Sequence, residues 1–174
     1  MFFKTLTESQ ELAKLLGFDL DDLEKRTESD YALRSSIAVT IEGTPVSTFA
    51  LAKATVSWLG NVRGSLLWVT EYGIWPSREN RHLYFRLRSS YGDQHDLPAA
   101  PGHYFLDFEM PDLVTYLDLC LQFGWGAHLL STPNWASVWL SHDGWMRVES
   151  ESRLELVARD LQGFGLTYDE RKVH

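Results

Sequence analysis

His103, Asp107 and Glu109 lie in a run, His103-Tyr104-Phe105-Leu106-Asp107-Phe108-Glu109, whose alternation reads as a β-strand from Gly102 to Met110. On that reading Tyr104, Leu106 and Phe108 face a core, and His103, Phe105, Asp107 and Glu109 share the other face. An imidazole and two carboxylates in one row are donor types that a divalent transition-metal ion takes. At roughly 3.3 Å per residue, however, His103 and Glu109 stand about 20 Å apart, and only Asp107 and Glu109 are close neighbours. A metal site would need a third ligand from elsewhere, with His142 beside the Asp143-Gly144 turn as the candidate. The alternative function is therefore a metal-assisted hydrolase acting on an anionic substrate through Asp107 and Glu109, with His103 or His142 as base or third ligand.

The second feature is a charge anomaly. Arg78, Arg81, Arg86 and Arg88 with His82 crowd one predicted helix against the single acid Glu79. The next charges, Asp93, Asp96, Asp107, Glu109, Asp112 and Asp118, come without a Lys or Arg. The two stretches neutralise one another, or the helix is a recognition surface in which Trp75, Arg78, Arg81, His82, Arg86 and Arg88 meet a partner, since aromatic residues and arginine are enriched at binding hot spots.

Other chemistry lacks its signature. Cys120 falls on the apolar stripe of a predicted helix, where a thiol behaves as a small apolar group. There is no Gly-x-Ser-x-Gly, phosphate loop, dinucleotide fingerprint or His-Glu-x-x-His. The chain has 174 residues, a net charge of -8, 44% hydrophobic content and one cysteine. That size suits one domain spanning 1–174, and the acidity argues against broad affinity for nucleic acid or anionic membranes. With no disulfide, no apolar span of bilayer length and no leader-like start, a cytoplasmic setting follows.

Capping and periodicity supply the elements. Thr7 with Gln10 reads as a capping box for a helix from Glu8 to Leu16, and Asp19 as the cap of a second short helix. Strands are predicted near 37–41, 65–71, 103–109, 127–131, 136–142 and 145–149, the last two joined by Asp143-Gly144 as a type I′ hairpin. Helices are predicted at Val46–Leu59, at Arg78–Ser90 with a Leu83, Leu87 and Tyr91 stripe, at Pro111–Phe123 with a Leu113, Tyr116, Leu117 and Cys120 stripe, and after Ser152 with Leu154, Val157, Ala158 and Leu161 inward. The fold class is α+β: a mixed, largely antiparallel sheet of five or six strands with helices packed against it, including a C-terminal β-hairpin followed by a helix. The stretch from His103 to Ser131 fits one crossover unit.

An acidic, aromatic-rich chain without a catalytic set is expected to be a small bacterial interaction protein, of inhibitor or immunity type, whose partner is another protein and which uses no cofactor. A small-molecule sensor with an aromatic pocket is the third reading.

Overall fold

The computed structural model describes residues 1–18, 35–72, 78–133 and 136–171, with backbone only for 78–81 and 132. Its elements run β1 (Phe2–Lys4), α1 (Leu6–Leu15), β2 (Ser36–Thr40), α2 (Thr48–Trp58), β3 (Gly64–Glu71), α3 (Arg78–Ser90) and β4 (Gly102–Leu106). A 3-10 turn (Asp107–Glu109) then leads into α4 (Met110–Phe123), β5 (Gly126–Thr132), β6 (Ser137–Leu140), β7 (Trp145–Glu149), α5 (Leu154–Gly163) and β8 (Tyr168–Arg171). The helix expected after Asp19 lies outside the described residues.

All eight strands join one sheet in the order β1-β4-β3-β5-β6-β7-β2-β8, and every neighbouring pair is antiparallel. The sheet is thus α+β as expected, but wider than five or six strands and without a parallel pair. The two extra strands, β1 and β8, are the edges, three and four residues long. Strands that short carry too few alternations to register as a period. β4 and β5 both pair with β3, so they run parallel on either side of it and α4 carries the chain across.

Helices cover both faces where the sheet is thickest. On one face Leu67, Val69, Phe105, Leu129, Val138 and Val148 meet helical residues such as Leu51, Trp58, Leu113, Leu117, Val157 and Leu161. On the other, Ala13 of α1 and Phe18 close over Leu66, Trp68 and Leu130, with Tyr104 packed beside them. β3 is therefore buried on both sides, as its unbroken apolar run requires.

This double cover reverses the expected facing of β4. His103 and Phe105, both 0% exposed, point into the larger core, whereas Tyr104 points towards α1 and Phe108 is 74% exposed in the 3-10 turn. A strand with apolar partners on each side gives alternation no polar face to report. The strand also ends at Leu106, because Asp107 accepts the Phe108 N–H at 2.8 Å and Glu109 accepts the Leu106 N–H at 2.8 Å, which turns the backbone into the start of α4.

α4 matches expectation residue by residue. Leu113, Tyr116, Leu117 and Cys120 are buried, Pro111 sits in the first turn, and Gly124 takes the left-handed conformation (φ 60°) that ends the helix. The other helices differ at their caps. α1 starts from Thr5, whose hydroxyl accepts the Glu8 N–H while the Glu8 carboxylate takes the Thr5 N–H. α2 is capped by Ser47 rather than Thr44. At α5, Ser150 supplies the hydroxyl, accepting from Ser152 and Arg153 N–H. In α3 the fully buried residues are Tyr84 and Arg88; of the expected stripe Leu87 packs half-buried against the core, while Leu83 and, just past the helix, Tyr91 are 49% and 37% exposed.

Candidate functional site

A cleft of about 380 Å³ opens where three distant segments meet: the β2–α2 loop with the first turns of α2, the C-terminal end of α4 and the β6–β7 hairpin. Its floor is apolar, made of Leu51, Cys120, Trp125 and Leu140, each at most 3% exposed. Its rim is polar, carrying Glu42, Thr44, Gln122, Ser141 and His142. An apolar body with a few convergent polar groups, at a volume in the range of small-ligand sites, is the usual form of a binding pocket.

The hairpin that forms one wall is built differently from the type I′ turn the sequence suggests. Ser141 N–H bonds the Trp145 carbonyl (2.9 Å) and Gly144 N–H bonds the Ser141 carbonyl (3.2 Å). Only Gly144 has positive φ (77°), and no described residue other than glycine does. The connection is a type I turn closed by a glycine bulge, which leaves Asp143 in an ordinary conformation. Glu42 lies against Gly144 so closely that a β-carbon there would stand 2.5 Å from Glu42 Cβ. The Ile41 and Glu42 amides both bond the Gly144 carbonyl, at 2.8 and 2.9 Å, tying the end of β2 to the hairpin.

His142, in this turn, reaches across to the end of β3. Its Nδ1 donates to Glu71 Oε2 at 2.6 Å, and its Nε2 lies 3.2 Å from Asp143 Oδ1. Glu71 can extend so far because it runs over Gly126, where a β-carbon would come 2.3 Å from its Oε2. The hydrogen bond that His142 donates to Glu71 is the main cause that lifts its pKa above the ordinary imidazole value, so the ring holds its proton more readily. Cys120, on the cleft floor, is pushed up to about 12 by burial and stays a neutral thiol. The imidazole is engaged by two carboxylates and the thiol is protonated, so the cleft presents no activated nucleophile.

A second polar cluster lies inside the helical layer. His103 Nδ1 is 3.2 Å from the Leu67 carbonyl and so carries the proton, which leaves Nε2 to accept from Tyr84 Oη at 2.6 Å. Tyr84 Oη in turn accepts from Arg88 Nη1 at 2.6 Å, and Arg88 Nε is bound by Asp93. Burial first, and the Arg88 charge second, drive the His103 pKa down to about 3. Burial alone would raise Asp93, but hydrogen bonds from His95 and Arg88 hold it below the usual carboxylate range. This chain of bonds locks α3 and its following loop to β4.

These placements disperse the residues singled out for chemistry. His103 is in the core. Glu109 binds the Met1 ammonium and the Leu106 N–H, while Asp107 caps its own turn. His142 sits by Glu71 instead. Among the described residues no group of three or more His, Cys, Asp or Glu side chains is placed to hold a metal ion. On α3, His82 and Arg86 are exposed and Arg88 is 0% exposed, spent on Asp93 of the acidic stretch. Trp75 lies outside the described residues, as do the side chains of Arg78 and Arg81.

Glu42 and Glu71 escape sequence reasoning as site residues, whereas Trp125, which as a loop tryptophan is a candidate for an exposed binding surface with Trp75 and Trp135, both outside the described residues, is 3% exposed and lies in the cleft floor. Gly124-Trp125-Gly126 is visible as a helix stop, but nothing local says that Gly126 makes room for a carboxylate from β3. Among the described residues no helix is long and apolar enough to cross a membrane. Comparison with known protein families, with characterised proteins and with solved structures finds no match for this chain.

Proposed function

We propose that this chain works by binding, and that the cleft between the β6–β7 hairpin, the β2–α2 loop and α4 is where its ligand is held. The observation that carries the reading is the combination of an apolar floor and a polar rim in about 380 Å³, contributed by segments that converge only in the folded chain. Binding is favoured over turnover because the imidazole and the thiol nearby are committed: His142 to Glu71 and Asp143, Cys120 to its protonated form. The expectation of a protein partner enters here as one source of that ligand, since a cleft of this size takes a free molecule or a protruding side chain.

A fragment screen followed by amide chemical shifts tests the reading. Hits are expected to move the resonances of Leu51, Cys120 and Trp125 first, and to lose binding in Val46→Trp, where an indole fills the entrance. Hits that gather elsewhere, or that bind Val46→Trp and Thr48→Phe as well as the parent chain, would remove the cleft as the site.

A further inference from the structure

We infer that the occupant of this cleft bears a cationic, hydrogen-bond-donating head on an apolar body: an organic amine or guanidine, free or as a lysine or arginine side chain. The inference rests on the cleft being the binding site and adds the chemistry of what enters it.

The first argument is a count of donors and acceptors around the rim. Most of the donors are already spent inward. Thr44 Oγ1 donates to the Ile41 carbonyl at 3.0 Å, and Gln122 Nε2 donates to Asp118 Oδ2 at 2.8 Å. Both nitrogens of His142 face carboxylates, at 2.6 and 3.2 Å. The amides of Ile41, Glu42 and Gly144 bond backbone carbonyls, and the Asp143 amide bonds Ser141 Oγ. What these groups leave on offer is acceptors: the Glu42 carboxylate, the lone pairs of Thr44 and the Gln122 carbonyl oxygen. The end of α4 adds to them. The N–H groups of Gly124 and Trp125 both bond the Cys120 carbonyl, so the carbonyls after it take neither. The exceptions are the Ser141 and Thr48 hydroxyls, the second N–H of the Gln122 amide and the first amides of α2. A ligand that satisfies the acceptors of this rim has to bring the hydrogens itself.

The second argument is charge. Glu42 and His142 are the ionisable side chains of the rim, and the positive charge of His142 is outweighed by Glu71 and Asp143 beside it. The last turn of α4 holds no basic residue to offset its negative dipole end. α2 presents the opposite pole to the same cleft, so the two helix ends cancel and the carboxylates decide the sign. Glu42 is held at the mouth by its contact with Gly144, while Leu51, Leu140 and Trp125 form the greasy interior. Charge at the rim and hydrocarbon below match an alkyl or aryl ammonium.

Three probes of one length, n-hexylamine, hexan-1-ol and hexanoate, separate the possibilities by calorimetry and by the shifts of Leu51 and Leu140. The amine is expected to bind about tenfold tighter than the alcohol, with hexanoate weakest, and Glu42→Gln is expected to erase the advantage of the amine. Hexanoate binding as well as the amine, or an amine preference that survives Glu42→Gln, overturns the inference. If the alcohol and hexanoate shift the cleft resonances while the amine does not, the cleft stands and the cation falls. If none of the three does, the cleft itself falls. A lysine-bearing pentapeptide and its norleucine twin then assign the source. Tighter binding of the lysine peptide than of hexylamine points to a protein side chain and weaker binding to a free amine, whereas a norleucine peptide that binds as well as lysine counts against any cation.

Discussion

Tyr84 and His103 share one hydrogen bond of 2.6 Å in the core, with Arg88 donating to the tyrosine from behind and the Leu67 carbonyl accepting from the far side of the imidazole. Every proton in this relay has one place to be. Arg88 donates, Tyr84 accepts and donates, and neutral His103 accepts and donates, so the chain has a single direction.

Removing the middle link should therefore cost more than one bond. Tyr84→Phe leaves Arg88 Nη1 and His103 Nε2 buried without that partner, and the expected loss is about 2–4 kcal/mol of unfolding free energy by urea titration. A loss below about 0.5 kcal/mol, the scale of a neutral surface change, would show that the relay holds nothing together.

His103 makes stability fall on the acid side. Its folded pKa of about 3 lies under the 6.5 of an unperturbed imidazole, so the unfolded chain takes up the proton first. The contribution is whole above 6.5 and is drawn down as pH falls from there towards 3. Between roughly pH 6.5 and 5, above the range in which carboxylates titrate, the urea midpoint is expected to drop. His103→Gln, less stable at neutral pH, is expected to show a flatter slope in that window. An equal slope would contradict the assignment.

His142 has the opposite sign. Its raised pKa means that the folded chain holds the proton more tightly, so its contribution is complete below 6.5 and fades as pH rises through the folded value. The deficit of His142→Gln relative to the parent should be largest in mild acid and shrink in mild alkali. A deficit independent of pH would mean that Glu71 and His142 do not interact as an ion pair.

Gly144→Ala meets two obstacles at once: a backbone at φ 77° and a methyl group 2.5 Å from Glu42 Cβ. A destabilisation of about 1–2 kcal/mol is expected from the left-handed conformation alone. Glu42 also has to move, so amine binding should weaken in the same variant. Unchanged melting temperature would sink the turn assignment.

Cys120 offers a chemical check on the cleft floor. With its pKa near 12 and 2% exposure, it is expected to ignore an aromatic disulfide reagent in the folded protein and to react once guanidinium unfolds the chain. Rapid reaction in buffer would place the thiol in contact with solvent.

How far the sequence reaches depends on which signal a segment carries. α4 was legible because Pro111, Gly124 and four apolar residues at helical spacing agree. β3 was legible because Leu66 to Val69 has no polar break, as burial on two faces demands. β8 was not, since Asp169, Glu170 and Arg171 on an exposed edge look like any charged tail. The facing of β4 was inverted because a histidine normally marks a wet surface, and here Tyr84 and the Leu67 carbonyl satisfy it inside. At the cleft, His142 drew notice as a titratable residue near a turn, but Glu71 stands 71 residues away and no local pattern couples them. Pairings of that range are decided by topology.

The position of β2 bears on how the chain is made. Ile37 and Val39 leave the ribosome roughly a hundred residues or more before the strands that flank them, β7 and β8. Until those arrive, this one apolar strand of nascent polypeptide lacks both of its sheet neighbours. An unpaired apolar strand is aggregation-prone, so slowing translation between these segments should raise the burden on the chaperones of a cell that makes the protein.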